Sequence, residues 1–258
     1  MQSDPANDSS ERHARIFLLS HMRAYTSLAG HILGSHPQIN GYYEMHISYE
    51  DAAALDRQLA VLLEGDALKP GSRYLFDKLL HNDYALALDR LGMADMKILI
   101  SLRQPEPTIK SIVHLYRQKD GGDLFDSPEK AARYYIERVR ALADFARVNF
   151  AMANPGYFYF DAELWQRAPE LLLPRLTAWL ELDSPLSEQY QTFSHTGKPL
   201  KGDSSPRIHR GNIDRGGSDY AHITVPDAVL DEAGEVYREC RGQIIEQAVD
   251  SLLVGQGG

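Results

Sequence analysis

Cysteine is nearly absent from this chain of 258 residues, in which Cys240 is the only one. A single thiol excludes an intramolecular disulfide and any zinc site that is built on several cysteines. Because disulfides belong to oxidising compartments, their exclusion favours a reducing one. We therefore expect a cytoplasmic protein.

Long apolar runs are also missing. No stretch approaches the roughly 20 apolar residues of a membrane-spanning helix. The first fourteen residues are polar and lack the apolar centre of a signal peptide. We therefore expect no stable membrane insertion, a disordered segment over residues 1–14, and one folded domain over residues 15–258.

Positive charge is scarce, because 27 lysines and arginines stand against 36 acidic residues and give a net charge of −9. A general nucleic-acid binder would carry a basic surface, so nucleic acid is not an expected partner. An anionic ligand would instead have to be held by a local positive pocket in an acidic protein.

Short apolar segments alternate with helical segments, which is the pattern of βαβ units around a parallel sheet. The strands are predicted at residues 16–19, 74–76, 97–102 and 157–160. Helices are predicted over residues 28–34, 52–63, 84–91, 105–117, 128–150, 171–180 and 229–253, with Ser127 as an N-cap. The expected fold is a single α/β domain with a central parallel sheet flanked by helices. Ligands bind such sheets at the carboxyl ends of the strands.

The first of these strand ends is residues 20–27, with the sequence SHMRAYTS, between a buried strand and a helix. A helix N-terminus offers free N–H groups and a partial positive charge, and Arg23 adds a fork of donors for phosphate or sulfate oxygens. The Gly-Lys-Ser/Thr ending of an ATP-type phosphate loop is missing. The alternative is that Thr26 or Ser27 simply caps the helix.

The second strand end is residues 101–111, with the sequence SLRQPEPTIKS. Arg103 follows the strand directly, and Ser111 lies about two helical turns further on. Two basic strand ends side by side would fit a ligand with two separated anionic groups.

These segments resemble motifs of the sulfotransferases that use 3′-phosphoadenosine 5′-phosphosulfate (PAPS). IFLLSHMRAYTSLAGHILGSHPQI, residues 16–39, resembles their 5′-phosphosulfate loop, and KILISLRQPEPTIKSIVHLY, residues 97–116, resembles their 3′-phosphate motif. Residues 157–182 and 202–211 resemble two later motifs, the second one from bacterial members, so the likeness covers roughly residues 15–215. It implies a P-loop-kinase-like sulfotransferase architecture. It also implies metal-free transfer of a sulfuryl group from PAPS to a hydroxyl or amine of a small-molecule acceptor, with 3′-phosphoadenosine 5′-phosphate (PAP) as product.

The resemblance also implies roles for individual residues. Arg23 takes the position of the catalytic basic residue, Lys78 would approach the sulfuryl group, and Glu44 is the preferred base. His46 and His81 remain alternatives for the base. The residues expected to bind the nucleotide are Arg23, Ala24, Tyr25, Thr26, Ser27, Arg103, Ser111, Arg207, Arg210 and Gly211.

The last three of these belong to a basic loop, residues 197–217. It carries five positive charges, Lys198, Lys201, Arg207, Arg210 and Arg215. We expect this loop to lie over the nucleotide, with Arg210 and Gly211 as the favoured phosphate contact and Arg207 as the second choice. A solvated basic loop is the alternative.

Two residues depart from the family pattern, because Tyr25 stands where the loop usually has Gly and Met22 where it has Pro. Glycine is favoured where φ is positive or where the backbone must approach a phosphate closely, and a tyrosine can stand there if φ is negative. Two other functions therefore remain open, a nucleotide-dependent kinase of related fold and a non-catalytic binder of PAPS or PAP. The sequence also leaves the acceptor and homo-oligomerisation open.

Overall fold

The computed structural model describes residues 13–118, 124–150, 156–198, 206–217 and 219–255. Residues 1–12 of the segment that we predicted to be disordered lie outside the described residues. Ala14, which we had included in that segment, already belongs to the first strand.

The described residues form one sheet of six parallel strands, which confirms the predicted fold class. The strand order is β2-β3-β1-β4-β5-β6, and every neighbouring pair is parallel. The strands are β1 (Ala14–Leu19), β2 (Ile39–Asn40), β3 (Tyr74–Leu79), β4 (Met96–Leu102), β5 (Tyr157–Asp161) and β6 (Asp250–Leu252). The central strands are apolar runs buried on both sides, as expected for a parallel sheet covered by helices.

Eight α-helices accompany the strands in the described ranges. They are α1 (Thr26–Ser35), α2 (Ala52–Leu63), α3 (Leu88–Leu91), α4 (Pro105–Arg117), α5 (Pro128–Phe150), α6 (Leu164–Arg167), α7 (Pro169–Trp179) and α8 (Asp227–Gln247). A 3-10 helix, Pro206–Arg210, lies within the basic loop. Ser127 caps α5 as predicted, because its Oγ accepts the Lys130 N–H at 3.3 Å. Within the described part of the chain, no helix combines the length and the apolar character that crossing a membrane requires.

The helices cover the sheet in two layers, each with its own core. Alternate residues of β1 face opposite layers: Phe17 and Leu19 pack with residues of α2, α4, α5 and α8, whereas Ile16 and Leu18 pack with residues of α1, α6 and α7. The helices that follow β1 and β4 therefore lie on opposite faces of the sheet.

This arrangement makes the boundary between β1 and β4 a topological switch point. The two strands are neighbours, yet the chain leaves β1 toward α1 on one face and leaves β4 toward α4 on the other. A crevice opens at the carboxyl ends of strands where the chain diverges in this way, and ligands of such sheets bind there. Both predicted anion-binding strand ends meet at this crevice.

Two of the predicted helices differ from the structure. The helix expected at residues 84–91 is wrong over its first half, because the chain there pairs with Tyr49 instead. Tyr49 N donates to Ala85 O at 2.8 Å, and Ala87 N donates to Tyr49 O at 2.9 Å. Only Leu88–Leu91 is helical, so tertiary pairing overrides the local preference of this short segment.

The chain also does not end in one long helix over residues 229–253. Helix α8 stops at Gln247, and Ala248 is extended. Val249 N then donates to Tyr157 O at 3.2 Å, and Asp250–Leu252 pair with β5 as strand β6. The open edge of β5 supplies hydrogen-bond partners that a helix would leave unpaired.

Helix α1 packs unusually closely on the segment that follows β2. A Cβ atom at Gly30 would lie 2.1 Å from Tyr42 O, and one at Gly34 would lie 2.7 Å from Gly41 O. This contact requires glycine, since a methyl group would push α1 away from the backbone of residues 41 and 42. It also fixes α1 relative to the segment that carries Glu44.

We predict that Gly30→Ala lowers the free energy of unfolding by about 1–3 kcal/mol, because the methyl group overpacks this contact. Gly242→Ala is the matched control: it lies on the exposed side of α8, with no described atom within 4 Å of the added Cβ. There, alanine should raise the stability by roughly 0.5–1 kcal/mol. Urea unfolding of both variants measures the two effects, and a Gly30→Ala protein as stable as the parent would contradict the close packing.

Candidate functional site

The loop that follows β1 is joined to the end of β4 by two buried side chains. Ser20 Oγ donates to Ser101 O at 2.7 Å. His21 Nε2 accepts the Arg103 N–H at 3.0 Å, so Nδ1 carries the hydrogen and donates to Met22 O at 2.9 Å. Burial lowers the pKa of His21 to about 3. The imidazole is therefore neutral and acts as a fixed link between the two strand ends.

The two arginines of the strand ends lie against each other at this junction. Arg103 Nη1 donates to Arg23 O at 2.8 Å, and Arg23 Nε donates to Ser111 Oγ at 2.9 Å. Tyr135 holds the backbone beneath them, because its hydroxyl donates to Arg103 O at 2.7 Å. The structure thus brings together the three residues that the sequence placed in two separate motifs.

These residues line one cleft, together with the beginning of α1. Thr26, Ser27 and Leu28 form its wall on the α1 side, and Arg103 and Ser111 form its wall on the α4 side. Within the described residues no side chain caps the N-terminus of α1, and its first turn contains no acidic residue. The free N–H groups and partial positive charge of that helix end therefore face the cleft.

The guanidinium of Arg103 is the most buried cation of the cleft. Arg103 is 9% exposed, and this burial is the main cause that lowers the pKa of its guanidinium. Arg103 Nε is buried and has no hydrogen-bond partner among the described residues. A buried donor without a partner is costly, and an anionic group in the cleft would remove that cost.

Tyr25 adopts a positive φ, the conformation that usually favours glycine. Its φ is +57°, in the left-handed region, and Arg23 two residues earlier has φ +63°. Left-handed backbone costs a non-glycine residue roughly 1–2 kcal/mol. The Tyr25 ring lies over the Arg103 guanidinium, with Cζ 4.4 Å from the ring centroid. This cation–π contact offsets part of the strain, so a glycine position is occupied by a tyrosine that covers the buried arginine.

The basic loop contributes a different residue from the one that we favoured. Arg207 lines the cleft, whereas Arg210 and Gly211 lie in a separate surface pocket. Arg210 instead pairs with Asp214 at 2.5 Å, and Arg207 donates to Gly216 O and Gly217 O at 2.7 and 2.8 Å. Of the three residues that we expected from this loop, only Arg207 therefore lines the same cleft as Arg23 and Arg103.

The remaining predicted residues of these two loops lie away from the cleft or outside the described ranges. Ala24 is buried, so only its backbone could contact a ligand. Arg215 pairs with Glu188 at 2.8 Å. Lys198 is exposed, and Lys201 lies outside the described residues.

The three candidate bases form a single cluster on the other side of the loop after β1. Glu44 Oε1 lies 3.9 Å from His46 Nδ1 and 4.0 Å from His81 Nε2. It is buried and has no hydrogen-bond partner among the residues that the structure describes. Burial lowers the pKa of His81. Lys78 precedes His81 by three residues and contacts the cleft wall, because its Nζ donates to Ser27 Oγ at 3.3 Å.

Asp77 holds this cluster in place, and the sequence analysis did not find it. Its carboxylate accepts the Met45 and Lys78 N–H groups at 3.0 and 2.7 Å and the Tyr49 hydroxyl at 2.6 Å. Burial raises the pKa of Asp77 to about 7. The only sequence signal was an acidic residue directly after the apolar run of residues 74–76. Such a residue anchors a neighbouring segment when it accepts hydrogen bonds from it.

The cleft contains four further polar residues that the sequence analysis missed: Gln166, Tyr190, Asp214 and Tyr220. Gln166 belongs to α6 and the other three to connections after α7, and no local motif distinguishes them. No group of three or more metal-binding side chains occurs within the described ranges.

Comparisons with known proteins match this geometry to one fold. No protein-family model matches the chain, and neither does any curated protein. Among solved structures, the sulfotransferase domain from the curacin biosynthetic pathway is 18% identical with a TM-score of 0.58, over 89% of this chain and 97% of that domain. The sulfotransferase domain of the Synechococcus PCC 7002 olefin synthase is 16% identical with a TM-score of 0.51, over 92% and 98% of the two chains.

A mouse sulfotransferase complexed with PAP is 14% identical with a TM-score of 0.54, over 89% of this chain and 88% of the mouse chain. At these identities the likeness shows the fold. The chain therefore has the sulfotransferase fold, as the sequence motifs implied.

We predict that His21→Gln flattens the dependence of stability on pH. In the parent protein the folded pKa of His21, about 3, lies below an unfolded value of roughly 6.5, so stability is lost as pH falls from about 6.5 toward 3. This histidine should account for about 2–3 kcal/mol of the loss between pH 7 and pH 4.5. Glutamine can accept the Arg103 N–H without titrating.

Urea unfolding at a series of pH values measures the effect, with the exposed His209→Gln as control for the loss of a histidine. If the free energy of unfolding changed with pH in the same way for His21→Gln and for the parent protein, His21 would not titrate as a buried link.

Proposed function

We propose that this protein transfers a sulfuryl group from PAPS to a hydroxyl or amine of a small-molecule acceptor. The observation that carries the proposal is the single cleft at the β1–β4 switch point, in which Arg23 and the uncapped α1 meet Arg103 and Ser111. A nucleotide with anionic groups at its 5′ and 3′ ends matches this pair of cationic walls. The sulfotransferase fold and the PAP complex of the mouse neighbour support the same ligand.

The residues present fit the two ends of PAPS. The N–H groups of α1, the Thr26 and Ser27 hydroxyls and Arg23 would hold the 5′-phosphosulfate. Arg103 and Ser111 would hold the 3′-phosphate, and the unpartnered Arg103 Nε supplies a donor for it. Arg207 lies at the same cleft and adds a further positive charge.

PAPS would supply the sulfuryl group, to which the acceptor oxygen or nitrogen bonds as the bond to the bridging phosphate oxygen breaks and PAP leaves. Arg23 and Lys78 are placed to neutralise the charge that develops on the leaving phosphate and on the sulfuryl oxygens. Fixed positive groups of this kind account for most of the catalysis in the related phosphoryl transfers. Lys78 contacts Ser27 at the beginning of α1, so its ammonium lies next to the proposed 5′ end.

Glu44 is the proposed base that takes the proton of the acceptor. Its buried Oε1 has no hydrogen-bond partner among the described residues, and the hydroxyl or amine of a bound acceptor would supply one. His46 and His81 lie within 4.0 Å of the same oxygen and remain alternatives. They can also carry the proton away from Glu44.

Two measurements test the proposal directly. Calorimetry with PAP should show binding, and PAPS carrying radioactive sulfur should label an acceptor from a panel of phenols, aliphatic alcohols and amines. The absence of binding to PAP would refute the proposal. Binding without transfer to any acceptor would favour the non-catalytic alternative, and magnesium-dependent phosphoryl transfer from ATP would favour the kinase.

We predict that Glu44→Gln lowers turnover about 10²–10⁴-fold, because the amide cannot accept the proton. The affinity for PAP should stay unchanged, since Glu44 lies outside the cleft lining. His46→Gln and His81→Gln, assayed beside it, assign the role if Glu44 is not the base. Undiminished turnover of Glu44→Gln would exclude it.

A further inference from the structure

Tyr220 is a residue of the cleft that no sequence motif indicated. It lies between the basic loop and α8, and it faces the same cleft as Arg103 and Ser111. We propose that Tyr220 is a third binding residue for the 3′-phosphate, and that its hydroxyl helps the cleft to select nucleotides that carry this phosphate. This inference rests on the proposed use of PAPS.

The hydroxyl of Tyr220 is joined to the residues proposed for the 3′ end. Ser111 Oγ donates to the Tyr220 hydroxyl at 3.1 Å and accepts from Arg23 Nε at 2.9 Å. A phenol can accept one hydrogen bond and donate another, so Tyr220 can accept from Ser111 and donate to a phosphate oxygen. Ser111 also has a single O–H, which can donate to the phosphate once it turns away from Tyr220.

A hydrogen-bonded turn fixes the backbone of Tyr220. Ile223 N donates to Tyr220 O at 2.9 Å, and Asp219 Oδ1 accepts the Ala221 N–H at 2.9 Å. Ile223 is buried in the core, 1% exposed. The backbone that carries the ring is therefore ordered before a ligand binds, which limits the entropy lost on binding.

Helix α4 also holds this segment. His222 lies against His114, with ring centroids 5.4 Å apart, and the His114 ring lies 5.1 Å from the Tyr220 ring. Since His114 follows Ser111 by three residues, both lie on the same face of α4. Tyr220 is thus packed directly over the helix that carries the proposed phosphate ligand.

A purely structural role is the competing explanation, because the hydroxyl could serve only to hold this segment on α4. The two roles differ in what the loss of the hydroxyl changes. A structural role alters stability, or the affinity for every nucleotide, whereas a phosphate contact alters only the affinity for nucleotides with a 3′-phosphate.

The test is Tyr220→Phe in the full chain, titrated by calorimetry with PAP and with adenosine 5′-monophosphate, which lacks the 3′-phosphate. We expect the affinity for PAP to fall about tenfold or more, as for a hydrogen bond to a charged group. The affinity for the monophosphate should change less than twofold. Tyr237→Phe, a tyrosine of α8 outside the cleft lining, is the matched control and should bind both nucleotides as the parent does.

Ser111→Ala and the Ser111→Ala/Tyr220→Phe double variant complete the experiment. Because both hydroxyls would contact one phosphate, and the Ser111 hydroxyl donates to that of Tyr220 in the ligand-free protein, their effects on the affinity for PAP should not add. An unchanged preference of Tyr220→Phe for PAP over the monophosphate would overturn the inference, and so would an equal loss for both nucleotides. If the parent protein binds PAP no better than the monophosphate, the proposed function itself fails.

Discussion

The hydrogen bond from the Arg103 N–H to His21 Nε2 is the contact on which the site depends. It joins the end of β4 to the loop after β1, and the Arg103 side chain strengthens that junction through Arg23 O. Without it, two parallel strands would end in two independent loops, each with one arginine. With this hydrogen bond in place, the Arg23 and Arg103 side chains line the same cleft. The neutrality of His21 is essential, since a charged imidazole could not accept the amide hydrogen.

The sequence was sufficient to predict the elements that are determined by residues close together in the chain. Apolar runs predicted the central strands, and Ser127 before Pro128 predicted where α5 begins. The two arginines were predicted because they directly follow strands, and parallel strands end at one edge. Segments without a strong local pattern were decided by distant partners. Residues 84–87 pair with Tyr49, and residues 250–252 pair with β5. Neither partner is visible in a window of neighbouring residues.

The candidate site likewise combines residues that a local sequence pattern predicted with residues that only the folded chain brings together. The residues proposed to bind the anionic groups come largely from two motifs, and the structure brings these motifs to one cleft. Asp77, Gln166 and Tyr220 come from a strand interior, a short helix and a connection, and only the folded chain shows what they contact. The choice between Arg207 and Arg210 depended on the path of one loop, which composition does not specify. The grouping of Glu44, His46 and His81 likewise follows from Asp77, which anchors the segment between β2 and α2.

The left-handed Tyr25 has a consequence for how the loop responds to a ligand. A glycine at that position would leave the backbone free to sample many conformations, both in the unfolded chain and in the ligand-free loop. The tyrosine ring, held over Arg103, restricts the peptide groups on either side to one conformation. The conformational entropy of the loop is therefore lost when the chain folds rather than when an anion binds. A ligand then meets a rigid surface, and rigidity at this point favours discrimination between ligands of similar charge and different shape.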